Sequence, residues 1–121
     1  MLGNEMVTQL NEFKNEPKFD DNHLLNPALS KPELRDTFNS FMNQSADDFI
    51  GVIANSPGDE NFRVQIKNGL ERFDQFKHDL DTEDKEMICR YYERLMDIVG
   101  LESSGGLLNT WLYGFDPSST A

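Results

Sequence analysis

The run Gly100-Leu101-Glu102-Ser103-Ser104-Gly105-Gly106-Leu107-Leu108-Asn109-Thr110-Trp111-Leu112-Tyr113-Gly114-Phe115-Asp116-Pro117 decides the reading of this chain. It holds four of the eight glycines and the single tryptophan. Gly100 follows an apolar helical run ending at Val99, and glycine after a helix takes the left-handed backbone at little steric cost. Leu101 then stands where an apolar residue folds back onto the last turn. Ser103 or Ser104 can cap a following helix by accepting a backbone N–H bond. Leu107, Leu108, Trp111 and Leu112 come at helical spacing and make one face strongly apolar. Gly114 repeats the stop, Phe115 repeats the apolar residue after it, and Pro117 cannot extend a helix. A helix this short is not stable alone, so its Trp-and-Leu face must pack on the chain or on a partner. Ser-Ser-Gly-Gly at a helix start also invites an anion-binding reading. That reading lacks a preceding strand and a lysine, and Glu102 would repel the anion.

Outward from this stretch, the apolar residues recur at helical spacing. Met6, Val7, Leu10 and Phe13 predict a short amphipathic helix over 5–15, closed by Pro17. Residues 16–30 read as an irregular loop, with Phe19, Leu24, Leu25 and Leu29 able to pin it to a core and Asn26-Pro27 at a turn. Asp20-Asp21-Asn22-His23 reads as a solvated turn, because a calcium loop needs a glycine and a terminal glutamate. Ser30-Lys31-Pro32-Glu33 has the spacing of a capping box. Leu34, Phe38, Phe41, Met42, Phe49, Ile50, Val52 and Ile53 continue the stripe. Ser45 with Asp48 forms a second cap-like pair, so the sequence leaves open whether 31–55 is one helix or two. Ser56-Pro57-Gly58-Asp59 is a stop and turn, with Asp59 as the expected cap of a helix over 60–78. Phe62, Ile66, Leu70, Phe73 and Phe76 form that helix's stripe. Gly69 within it weakens the helix by about 1 kcal/mol relative to alanine and allows close helix approach. Arg63, Lys67, Arg72 and Lys77 read as its solvated face.

Asp79-Leu80-Asp81-Thr82-Glu83-Asp84-Lys85-Glu86 is the sharpest charge cluster. It fails as a calcium loop, with Asp84 where glycine is needed and Arg90 where glutamate is needed. It reads instead as Asp81 or Thr82 capping a helix over 82–99, with acids in the first turn complementing the macrodipole. That helix is expected to be the most buried, with Cys89 packing as a small hydrophobe. Residues 118–121 read as a frayed tail.

The stretch from Tyr91-Tyr92-Glu93-Arg94-Leu95 through Gly100-Leu101-Glu102-Ser103-Ser104, continued by Gly106-Leu107-Leu108-Asn109 and Trp111-Leu112-Tyr113-Gly114-Phe115, resembles the C-terminal signature of a family of small bacterial domains of unknown function. The resemblance covers about the last third of the chain. It implies a bacterial source and a helical domain of about this length. It implies no activity, cofactor or catalytic residue.

The 121 residues predict one all-α domain spanning 1–121, a compact bundle of about five helices in up-and-down order. There are 22 acidic and 11 basic residues, a formal net charge of −11. That balance disfavours nucleic acid and anionic membranes and favours a basic partner. One cysteine allows no internal disulfide, and no signal peptide or apolar span is visible, which points to the cytoplasm. His23 and His78 belong to no metal spacing, and Cys89 lacks the context of a nucleophile. No cofactor is expected, and the chemistry favours a non-enzymatic role. The first functional expectation is therefore a protein-binding module, such as an immunity- or antitoxin-type inhibitor of a basic partner. Its candidate contacts are Asp47, Asp48, Asp59, Glu60, Asp79, Asp81, Glu83 and Asp84. The second is a small-molecule-binding or enzymatic domain with a pocket lined by Trp111, Tyr113 and Tyr92. The third is a homo-oligomeric scaffold using the Leu107 to Phe115 face.

Overall fold

Five stretches of apolar residues at three- and four-residue spacing become five α-helices: α1 Leu2–Asn15, α2 Arg35–Asn55, α3 Asp59–Asp74, α4 Thr82–Val99 and α5 Leu107–Tyr113. The computed structural model describes residues 2–19 and 29–114. The expectations for Asp20–His23, Leu24, Leu25, Asn26-Pro27, Phe115, Pro117 and the tail lie outside them. Short 3-10 turns at Pro32–Leu34 and Lys77–Asp79 precede α2 and follow α3. No strand occurs among the described residues, and the fold is all-α.

α2 is one helix. Phe38, Met42, Ser45, Ala46, Phe49 and Val52 form its buried stripe without a break. Ser45 caps nothing. It lies on the inner face, where its hydroxyl shares a hydrogen bond of 2.8 Å with the Tyr92 hydroxyl. Neither does Ser30 make the expected capping box: the turn at Pro32 starts after Lys31 with no side-chain cap. The Ser30 hydroxyl instead donates to the Asp84 carboxylate, 54 residues away. At α3 the residue before the helix is Gly58, without a side-chain cap. Asp59 sits in the first turn, where its charge complements the macrodipole. α3 stops at Asp74 rather than 78, and Phe76 turns toward α2, its ring 5.6 Å from Phe38.

The end signals of α4 behave as the sequence predicts. Asp81 accepts from the Asp84 N–H at 2.8 Å, and the Asp84 side chain accepts from the Asp81 N–H at 3.1 Å. At the other end Gly100 takes φ 73, and the Leu101 N–H donates to the Met96 carbonyl at 2.9 Å. Leu101 is buried, folded back on the helix it ends. α4 buries nine residues to the six of α2, in keeping with its expected place.

α2 packs between α1 and α3 and also touches α4; α5 lies across α3 and α4. Three closely approaching residues, Ser45, Gly69 and Tyr92, set the α2–α3–α4 junction. A Cβ on Gly69 of α3 would stand 2.5 Å from Ser45 Oγ and nearer still to Tyr92 Oη, so only glycine lets α3 come this close. Around it runs a chain of edge-to-face aromatic pairs, Phe38 with Phe73 at 5.0 Å and Phe41 with Phe73 at 5.2 Å. Phe73 carries the chain on to Trp111 at 6.4 Å.

The segment after α1 is held at residues 18 and 19. Asn39 brackets Lys18, accepting from its N–H at 3.2 Å and donating to its carbonyl at 2.7 Å. The Lys18 ammonium is fully buried. It donates to the Glu16 carbonyl and to Asn43 Oδ1 and stands 4.4 Å from the centre of the Phe13 ring. Burial pushes its pKa down to about 8. Phe19 takes a left-handed backbone, φ 61, a strained choice for a bulky residue. Its N–H donates to Tyr91 Oη at 3.0 Å and its ring lies 4.8 Å from that of Tyr91.

Candidate partner-binding surface

The acids singled out in the sequence fall on separate parts of the molecule. Asp47 and Asp48 lie mid-way along α2. Asp47 faces α1 and pairs with Lys14 at 2.7 Å, and Asp48 faces α3 and pairs with Arg72 at 2.8 Å. Asp59 and Glu60 open α3, where Glu60 pairs with Arg63 at 2.5 Å. Asp79, Asp81 and Glu83 lie past the other end of α3, and Asp79 pairs with Lys31 at 2.5 Å. A 16-residue helix is about 24 Å long, so these two groups stand at opposite ends of the bundle. Asp84 is not a surface residue. It is 2% exposed, and its carboxylate accepts from the Asp81 N–H, the Ser30 N–H and the Ser30 hydroxyl. A carboxylate serving as one half of a cap has no face to offer a partner. Asp59 and Glu83 are exposed and make no ion pair among the described residues.

The three aromatic residues expected to share a pocket do not. Tyr92 is fully buried between α2 and α3, its phenol raised well above its ordinary value by burial. Trp111 packs inward on α3, with its indole N–H donating to Asp74 Oδ1 at 2.9 Å. Only Tyr113 reaches the surface, 55% exposed. The apolar face of α5 is largely taken up inside the chain, because Leu108 and Trp111 are buried.

Tyr113 stands at the rim of a cleft of about 430 Å³ between α4 and the 102–113 segment. This cleft was not legible in the sequence. One wall is the α4 face carrying Glu86, Arg90 and Glu93, four and three residues apart; the other includes Glu102, Ser103 and Asn109. Buried Cys89, Met96 and Leu108 line its inner part. Glu86, Arg90, Glu93 and Glu102 make no ion pair among the described residues, unlike the acids paired above. Local order builds the second wall. Ser103 Oγ accepts from the Gly105 N–H at 3.0 Å, Ser104 Oγ accepts from the Leu108 N–H at 3.3 Å, and Arg63 Nε donates to the Ser103 carbonyl at 3.0 Å. Burial first, then the charges of Glu93 and Glu86, push the Cys89 thiol up to about 12. Among the described residues no three His, Cys, Asp or Glu side chains gather where they could hold a metal ion. Nor is any described helix long and apolar enough to cross a membrane.

The fold and this surface define an all-helical domain whose family has no assigned activity. The chain belongs to the family described as domain of unknown function DUF4844, which matches residues 1–116. It is also similar to a crystal structure of a DUF3571 family protein from Acinetobacter baumannii AYE. The two share 33% identity over 98% of this chain and 97% of that one, with a TM-score of 0.83. No functionally curated protein matches.

Proposed function

We propose that the chain acts as a single non-enzymatic protein-binding domain for a basic partner, in the manner of an immunity- or antitoxin-type inhibitor in a bacterial cytoplasm. The observation that carries this reading is the excess negative charge, −11 on 121 residues, which internal pairing leaves largely uncompensated. A field of that sign raises the encounter rate with a cationic surface and weakens as salt screens it. Asp47, Asp48, Asp59, Glu60, Asp79, Asp81 and Glu83 contribute to the field from several sides. Those already paired to a cation contribute less than Asp59 and Glu83. The bacterial setting is supported by likeness to the Acinetobacter protein.

The test is a pull-down of the tagged chain from bacterial lysate at low and at moderate salt, read by mass spectrometry. One stoichiometric basic protein, lost as salt rises, is the expected result. Recovery of no basic protein, or capture indifferent to salt, refutes the reading. The cleft beside Tyr113 supports a second reading, a small-molecule site, with Trp111 and Tyr92 no longer part of it.

A further inference from the structure

We infer that the α4–α5 cleft is the docking site for a basic segment of the partner, taking one lysine or arginine side chain at a time. This rests on the basic-partner reading and gives it a location. The argument is one of charge and shape together. Glu86, Glu93 and Glu102 line the cleft against a single cation, Arg90, leaving a local excess of two negative charges. Of the acids in the candidate patches, Asp47 is answered by Lys14, Asp48 by Arg72, Glu60 by Arg63 and Asp79 by Lys31, while Asp59 and Glu83 stand exposed outside the cleft. The cleft carboxylates make no ion pair among the described residues, so Arg90 is the one internal cation that a ligand cation meets there.

The inner lining suits the rest of such a side chain. Met96 and Leu108 are buried and apolar, a surface on which the methylene stem of lysine or arginine can lie while its head stays with the glutamates. Tyr113 at the rim supplies an exposed aromatic face, which attracts a cation and is a residue type enriched among strong interface contacts. Arg90 works against a dense run of cations. The site therefore favours a basic residue set among neutral ones.

The experiment uses the full chain, labelled with nitrogen-15, titrated with a capped Gly-Arg-Gly-Arg-Gly peptide and, as control, its Gly-Glu-Gly-Glu-Gly counterpart. The amides of Glu86–Glu93 and Glu102–Tyr113 are expected to shift with the arginine peptide alone. The pair Glu93→Gln with Glu102→Gln is expected to weaken binding about tenfold, the equivalent of about 1.4 kcal/mol from two exposed charge pairs. Tyr113→Ala should weaken it several-fold, and Asp59→Asn with Glu60→Gln less than about twofold. All these side chains are exposed, and unchanged spectra elsewhere verify the fold. Shifts centred on Asp59–Glu60 or on Asp79–Glu83 overturn the cleft and leave the basic-partner reading standing. No shift anywhere, while the pull-down still returns a salt-sensitive basic protein, overturns the cleft alone. No shift and no partner overturn both.

Discussion

Replacing Gly69 by alanine tests the α2–α3–α4 junction directly. An added methyl would meet Tyr92 Oη, Ser45 Oγ at 2.5 Å and Tyr92 Cζ at 3.1 Å. Neither neighbour is a flexible surface group. Tyr92 and Ser45 are both fully buried and bonded to each other, and Ser45 also accepts from Arg72 at 3.4 Å. Relief requires either that α3 move away or that the Tyr92–Ser45 bond open. Overpacking of this kind costs about 1–3 kcal/mol. Opening the bond instead leaves a buried hydroxyl unpaired, at a comparable ~1–3 kcal/mol. Against this, alanine gains about 1 kcal/mol over glycine inside a helix. The expected net loss is therefore on the order of 1 kcal/mol, read as a lower urea midpoint by circular dichroism. Gly51, also inside a helix but with nothing within 4 Å of its added Cβ, is the internal control. Gly51→Ala should stabilise by about 0.5–1 kcal/mol. Tyr92→Phe removes the nearest atom, so Gly69→Ala should cost at least about 1 kcal/mol less in that background. A Gly69→Ala protein as stable as its parent, or equal costs in the two backgrounds, would refute the close approach.

Two further outcomes follow from buried groups. Lys18 has a folded pKa of about 8 against an ordinary 10.5. Between those values the unfolded chain binds more protons than the folded one, so stability rises with pH from about 8 toward 10.5, and below 8 the cost of the buried charge is fully present. Urea unfolding of the parent and of Lys18→Met, compared at pH 7.5 and 9.5, should show the parent gaining about 1–2 kcal/mol on the variant; a constant difference sinks the account. Cys89, its thiol raised to about 12 by burial and nearby glutamates, should resist iodoacetamide at pH 8 in the native protein and react readily in urea. Equal rates in the two states would show the thiol to be accessible.

Much of the architecture could be read residue by residue. The five helices, the Asp81 cap, the Gly100 stop with Leu101 folded back, and the role of Gly69 as a close-approach glycine all follow from short-range spacing. The misreadings share a cause. Ser30 and Ser45 each carry a side chain suited to a local cap, and sequence alone assigns such groups to their neighbours; Asp84, read as a surface contact, is buried. Asp84 does complete the cap with Asp81, but it also reaches Ser30. Ser30 and Ser45 spend their hydroxyls on Asp84 and Tyr92, 54 and 47 residues away. For the same reason the acids most conspicuous in the sequence prove dispersed, and Asp47, Asp48, Glu60 and Asp79 are paired within the fold. Glu86, Glu93 and Glu102, scattered through an ordinary helix and a loop, converge on a cleft.

Helix periodicity and capping act within about four residues along the chain, so composition and spacing alone determined where the helices lie, which faces turn inward and how large the charge is. Which polar groups meet was decided by packing. A hydroxyl or carboxylate bonds to whatever the apolar faces bring beside it once water is excluded, and no local rule encodes that. The tertiary structure thus decided that Tyr92 belongs to the core, that Asp84 ties the residue ahead of α2 to the start of α4, and that α4 and α5 leave an acidic cleft between them.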